Sequence, residues 1–183
     1  ALWSGTKLKF EDSRMDMGYL ALQHATGEMD FIGKYPLNLK TDLIIPSLKS
    51  LDIQIIKVVA RGTLDTLKAG VATRTPDLLT GWVVVHPVRD HVPMNGELFF
   101  KNYHLPLLKE QKFFAKDGVA RFNGDIQKLL LTLDTDLKGE QIPEGKYNAL
   151  MDTDLKNQLN INDFNGQLMG GRVGLKGVVN WHN

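Results

Sequence analysis

From Leu129 onward the chain alternates apolar and polar residues with period two, and no α-helical period accounts for it. Leu129, Leu131, Leu133, Thr135 and Leu137 fall on one parity, while Thr132, Asp134, Asp136 and Lys138 fall on the other, with Leu130 the one apolar exception. Successive side chains of a strand point to opposite faces, so such a segment has one dry face and one wet face. The motif Asp134-Thr135-Asp136-Leu137-Lys138 returns eighteen residues later as Asp152-Thr153-Asp154-Leu155-Lys156, with Ala149, Met151, Thr153 and Leu155 on the apolar parity. That spacing fits two strands plus two turns, so it predicts equivalent strands on every second rung of an antiparallel meander. Leu159 and Ile161 then oppose Asn160 and Asn162, and Val173, Leu175, Val179 and Trp181 oppose Arg172, Lys176 and Asn180.

The first half carries the same pattern less regularly. Leu37, Leu39, Leu43 and Ile45 alternate with Asn38, Lys40 and Asp42, and Leu51, Ile53 and Ile55 alternate with Asp52 and Gln54. At Lys57 and Val58 the phase slips, which predicts a bulge near Ile56. Trp82 to Val85 and Leu98 to Phe100 read as shorter strands. Pro106 to Gly118, with proline at a plausible first turn and glycine at the end, predicts one short helix, and Pro46 to Leu51 is open between helix and strand. No Pro/Gly/Ser-rich linker divides residues 1–183, which read as a single unit cut from a longer protein. The expected fold is all-β, an antiparallel meander with at most one or two short helices.

Composition removes several kinds of chemistry. The absence of cysteine excludes thiol catalysis, disulfides and thiolate metal sites, and suits an oxidising compartment. A net charge of +1 without a basic stripe argues against nucleic acid, and no apolar run approaches the ~20 residues that span a bilayer as a helix. His86, Asp90 and His91 lie close together but match no zinc pattern, and His24, His104 and His182 stand alone. No serine sits in a nucleophile elbow. Gly170 to Gly174 does not open a helix as a phosphate loop would, and the paired aspartates lie mid-strand without a ligand loop. The residues therefore point to a chain that is not an enzyme and that needs no metal or cofactor.

A meander with one apolar face must cover it. A second sheet would do so, making a sandwich or barrel whose interior is only core. From the pattern alone that is the favoured solution, with an open groove whose lining shelters lipid as the alternative, and the same residues serve both. The candidate lining is Leu129, Leu131, Leu133, Leu137, Met151, Leu155, Leu159, Ile161, Val173, Leu175, Val179 and Trp181. Each buried CH2 is worth about 0.8 kcal/mol, so a two-chain lipid leaving a bilayer for water forfeits on the order of 20 kcal/mol. An apolar wall removes most of that barrier without any catalytic group.

The run Gly166-Gln-Leu-Met-Gly-Gly-Arg-Val-Gly-Leu-Lys-Gly-Val-Val-Asn-Trp181, preceded by Leu159-Asn-Ile-Asn-Asp-Phe164, resembles the glycine-punctuated strand element of the TamB family of AsmA-like proteins. Asp134 to Pro143 is similar to the middle of that family, rather than to its C-terminal domain, and the specific likeness covers about residues 118–181. The resemblance implies an open, β-taco-like groove in a periplasm-spanning protein anchored in the bacterial inner membrane. It implies phospholipid acyl chains as ligands and an outer-membrane barrel partner, TamA, met through the full-length parent. The alternative it carries is a scaffold or chaperone subunit for insertion or secretion of outer-membrane proteins, with open sheet edges pairing to client strands. The family brings no catalytic residues.

Overall fold

A computed structural model describes residues 2–16, 21–44, 55–73, 78–108, 111–139, 143–155, 157–168 and 170–180. They form thirteen strands and, among the described residues, no helix. The strands are β1 (Leu2–Ser4), β2 (Lys7–Asp16), β3 (Ala21–Asp30), β4 (Pro36–Ile44), β5 (Ile56–Thr63), β6 (Leu67–Thr73) and β7 (Leu78–Val85). They continue as β8 (Met94–Leu108), β9 (Gln111–Gly124), β10 (Leu129–Gly139), β11 (Gly145–Thr153), β12 (Gln158–Leu168) and β13 (Gly171–Asn180).

All belong to one sheet whose spatial order is the chain order, β1 to β13, with every neighbouring pair antiparallel. At roughly 4.8 Å between strands, thirteen strands make a ribbon about 58 Å long. The first and last strands are not paired to each other among the described residues, so the sheet is open. Among the described residues no second layer covers it: each strand packs substantially only on its sequence neighbours. One face is nevertheless systematically less accessible. In β10, Leu129, Thr135 and Leu137 are buried while Leu130, Asp134 and Lys138 are exposed, and in β11, Tyr147, Ala149 and Thr153 are buried while Lys146, Asn148 and Leu150 are exposed. A sheet with no covering layer shelters one face only by curling toward it.

The accessible surface is 11807 Å², against roughly 8,850 Å² for a compact monomer of 20.5 kDa. No large described side chain is fully sealed from solvent. The densest packing is local, where Phe100, Ala115, Leu137 and Tyr147 bury one another beside Leu133 and Phe164.

The stretch Pro106 to Gly118 is not a helix. It is the end of β8 and the start of β9, and the register between these strands shifts between Leu105 and Leu108, an irregularity that admits Pro106 without a ladder hydrogen bond. Pairing with β10 on the far side of β9 outweighs local helix propensity there. The repeated pentapeptide does not mark every second rung either. The first copy lies within β10, and the second straddles the end of β11, its antiparallel neighbour, with Leu130 opposite Asp152. The repeat at alternate rungs runs from Leu129 of β10 to Gln158 of β12, much longer than eighteen residues. No register shift occurs along β5 from Ile56 onward, and the Leu51 to Gln54 side of the expected bulge, like Pro46 to Leu51, lies outside the described residues.

Candidate functional site: the sheltered face of the sheet

Residues directly opposite in an antiparallel pair share a face, so the register can be followed across the sheet. One rank touches every strand: Trp3, Leu8, Met29, Leu37, Gly62, Leu67, Val85, Met94, Gly124, Leu129, Thr153, Leu159 and Val179. The next rank on this face runs from Phe10 of β2 through Leu39, Ala60, Val83, Phe122, Leu131, Met151 and Ile161 to Gly177 of β13. A third runs from Thr41 of β4 through Val58, Val71, Leu98, Leu133, Ala149 and Phe164 to Leu175. None of these ranks contains a charged residue.

The opposite face is different in kind. Its rank beside Leu129 reads Leu2, Lys9, Glu28, Asn38, Arg61, Lys68, Val84, Asn95, Asn123, Leu130, Asp152, Asn160 and Val178. Paired polar groups hold this side: Arg121 bridges Glu97 at 2.6 Å and Asp134 at 3.3 Å. Asn160 and Asn162 donate to the Asp152 carboxylate at 2.8 and 2.6 Å, and these bonds, that from Asn162 first, hold its pKa below the ordinary carboxylate value.

The buried threonine hydroxyls on the sheltered face are internally satisfied, while the buried Ser13 hydroxyl finds no partner among the described residues. The hydroxyls of Thr41, Thr135 and Thr153 donate to the carbonyls of Gln23, Asp117 and Gln158 at 2.9, 3.0 and 2.7 Å. A hydroxyl so engaged asks for no water, and the face stays dry in character. Aromatic rings lie over glycines of the neighbouring strand, Phe100 over Gly118, Phe122 over Gly96 and Tyr147 over Gly166, where any Cβ would meet the ring. Tyr147 also lies 5.6 Å from Phe164 between ring centroids and donates its hydroxyl to Pro143 at 2.7 Å. Burial raises its phenol pKa.

The register places Leu129, Leu131, Leu133, Leu137, Met151, Leu159, Ile161, Val173, Leu175 and Val179 together on this face, although Val173, Leu175 and Val179 of β13 are exposed there. Trp181 lies outside the described residues. Leu155 does not belong with them. β11 ends at Thr153, and Leu155 sits in the following turn with φ 59, its amide donating to the Thr153 hydroxyl and its side chain exposed. The turn forms because Asp154 accepts the amides of Asn157 and Gln158, so the second Asp-Thr-Asp-Leu-Lys copy is spent on a cap. Sequence reasoning missed Phe100, Phe122, Tyr147 and Phe164. In β12 the sheltered parity changes from odd at Ile161 to even at Phe164, because Asn162 is an extra residue relative to both neighbouring strands.

His86 is engaged in joining loops: its Nδ1 lies 2.7 Å from the Asp65 carbonyl and 3.2 Å from the Thr66 hydroxyl. Arg89 donates to Asp65 at 3.3 Å, and that bond lowers the Asp65 pKa. The carbonyl of His91 accepts the Ile126 amide. Among the described residues no cluster of His, Asp and Glu is arranged to hold a metal ion.

A single open antiparallel sheet with one continuous uncharged face defines a β-groove protein, whose site is a surface running the length of the fold. The family model described as "TamB, N-terminal domain" matches residues 1–183, and the chain belongs to the TamB family of envelope-spanning bacterial proteins, which associates with TamA. The match is to the N-terminal domain, where the sequence likeness pointed to the middle of the family's length. No curated protein and no solved structure matched the chain.

Proposed function

We propose that the sheltered face carries phospholipid acyl chains along the periplasm between the inner and outer bacterial membranes, as one segment of a longer protein anchored in the inner membrane. The observation that carries this reading is the rank from Trp3 to Val179, which crosses all thirteen strands without a charge. An acyl chain needs only such a surface, and ranks parallel to the ribbon let it slide from strand to strand without meeting a charge to desolvate. Contact with TamA belongs to the parent protein, and neither catalysis nor a cofactor has a part in the process.

A photo-crosslinking amino acid at Leu131 or Leu175 captures phospholipid in cells, while the same probe at Asp134 or Lys176 does not. Equal labelling at all four positions defeats the assignment of faces.

One observation favours a second reading, a scaffold for strands of outer-membrane proteins. Among the described residues β13 is the outermost strand, exposed at all ten residues, without proline and with only Arg172 and Lys176 as charges, which suits pairing with a client strand. Peptide capture that survives Leu131→Asp but fails when β13 receives a proline supports that reading over lipid carriage.

A further inference from the structure

At one corner the apolar face does not stop at the rim. Trp3, the β1 member of the longest rank, stacks on Phe31 with ring centroids 4.8 Å apart, and Phe31 meets Tyr35 edge-on at 6.3 Å. Phe31 lies two residues past Met29 of β3, and Tyr35 two residues before Leu37 of β4, so both extend the sheltered parity into the β3–β4 turn. Trp3 is 64% exposed and Ile32, in the same turn, 61%.

The turn is built to hold this shape. The Phe31 amide donates to Thr6 at 2.8 Å, tying the turn to the one between β1 and β2, and the Asp30 carboxylate accepts the Ile32 amide at 3.1 Å. Gly33 and Tyr35 take left-handed φ values of 68 and 54. Other described turns on this rim carry no Trp, Phe or Tyr, and acids in them are engaged in the turns: Asp125 accepts the amides of Gln127 and Lys128, Asp154 those of Asn157 and Gln158, and Asp65 pairs with Arg89 of the β7–β8 turn.

We infer that this aromatic corner is a lip that docks on a phospholipid bilayer and joins the membrane interface to the apolar face. Two features select a bilayer as its occupant. The lip is continuous with a surface suited to acyl chains, so a lipid leaving the bilayer there meets apolar contacts throughout. Its chemistry also combines an indole, a phenol, a phenyl ring and an isoleucine with an exposed lysine, Lys34, which suits a layer that is greasy on one side and polar and charged on the other. The inference rests on the acyl-carrying reading of the face.

The test uses the whole chain with Trp82→Phe and Trp181→Phe, leaving Trp3 as the reporter. It is mixed with phosphatidylcholine vesicles containing phosphatidylglycerol, with or without brominated acyl chains. Trp3 emission shifts to the blue and loses most of its intensity with brominated vesicles, and the protein floats with them in a gradient. Ile32→Asp, at an exposed position that leaves the sheet intact, lowers flotation at least several-fold while lipid retained through purification, counted by mass spectrometry, is unchanged. Flotation that is absent, or equal in the variant, overturns the lip, including the outcome in which this corner serves a protein partner instead. Loss of the acyl-carrying reading has a different signature: no retained lipid in any version, with flotation unaffected.

Discussion

An open face and a closed core answer a buried charge differently, and the contrast between Leu131 and Leu137 measures which one this sheet has. Both belong to β10 and both point to the sheltered side, but Leu137 is 6% exposed within the Phe100, Ala115 and Tyr147 cluster, while Leu131 is half-buried between Phe122 and Met151. Complete burial of a leucine side chain is worth about 1.5–3 kcal/mol, so the sheltered half of Leu131 contributes about 1 kcal/mol. An aspartate there keeps much of its hydration, and Leu131→Asp costs about 1–2 kcal/mol in total. Leu137→Asp forfeits about 2–5 kcal/mol of packing and then leaves a charge without a partner, which together rivals the ~5–15 kcal/mol stability of an ordinary domain. With a urea slope of about 1–3 kcal/mol/M, Leu131→Asp lowers the unfolding midpoint by about 0.3–2 M, whereas Leu137→Asp does not fold. Urea titration followed by circular dichroism reads both. If Leu131→Asp unfolds the protein as Leu137→Asp does, something covers Leu131 and the face is a core.

Three further outcomes follow from particular residues. Asp152 has its pKa held below 3.8 chiefly by Asn162 and then Asn160, so its contribution to stability is present above the ordinary carboxylate value and is lost as pH falls through the lowered one. Asn162→Ala moves this titration upward in a carboxyl NMR experiment, and an unmoved titration removes the assigned cause. For Tyr147 the sign reverses: its pKa is raised above 10.0 by burial, so its contribution is complete below that value and is lost as pH rises through the raised one. Tyr147→Phe abolishes that alkaline sensitivity and, by losing the bond to Pro143, costs about 1 kcal/mol in a denaturation midpoint. Gly27 holds a φ of 146 within β3, and a Cβ there would strike the Asn38 carbonyl, so Gly27→Ala lowers stability by about 1–3 kcal/mol in the same assay. Wild-type stability in that variant means the strand takes an ordinary conformation.

The all-β character and the sheltered parity of β10 and β11 were legible in the sequence, because a period of two survives wherever a strand runs unbroken. What was not legible depends on partners remote in sequence. Asn162 reverses the apolar parity of β12, and only pairing with β11 and β13 identifies it as the extra residue. Pro106 to Gly118 carries local helix signals that lose to strands on both sides of β9. Leu155 repeats the letters around Leu137, but Asp154 turns the chain before the strand can continue. The rings over glycines have a sequence signal, an aromatic residue on one strand and a glycine on the next, yet it becomes readable only once the register sets Phe100 against Gly118 and Tyr147 against Gly166. The openness of the sheet was equally hidden, since leucines that fill a core and leucines that line a groove are the same leucines.

Native mass spectrometry of the protein purified gently from cells tests the central claim most directly. Carriage of acyl chains by the sheltered face predicts a ladder of masses offset by phospholipids, lost in Leu131→Asp and retained in Asp134→Ala. Protein free of lipid, or adducts that persist equally in both variants, contradicts it.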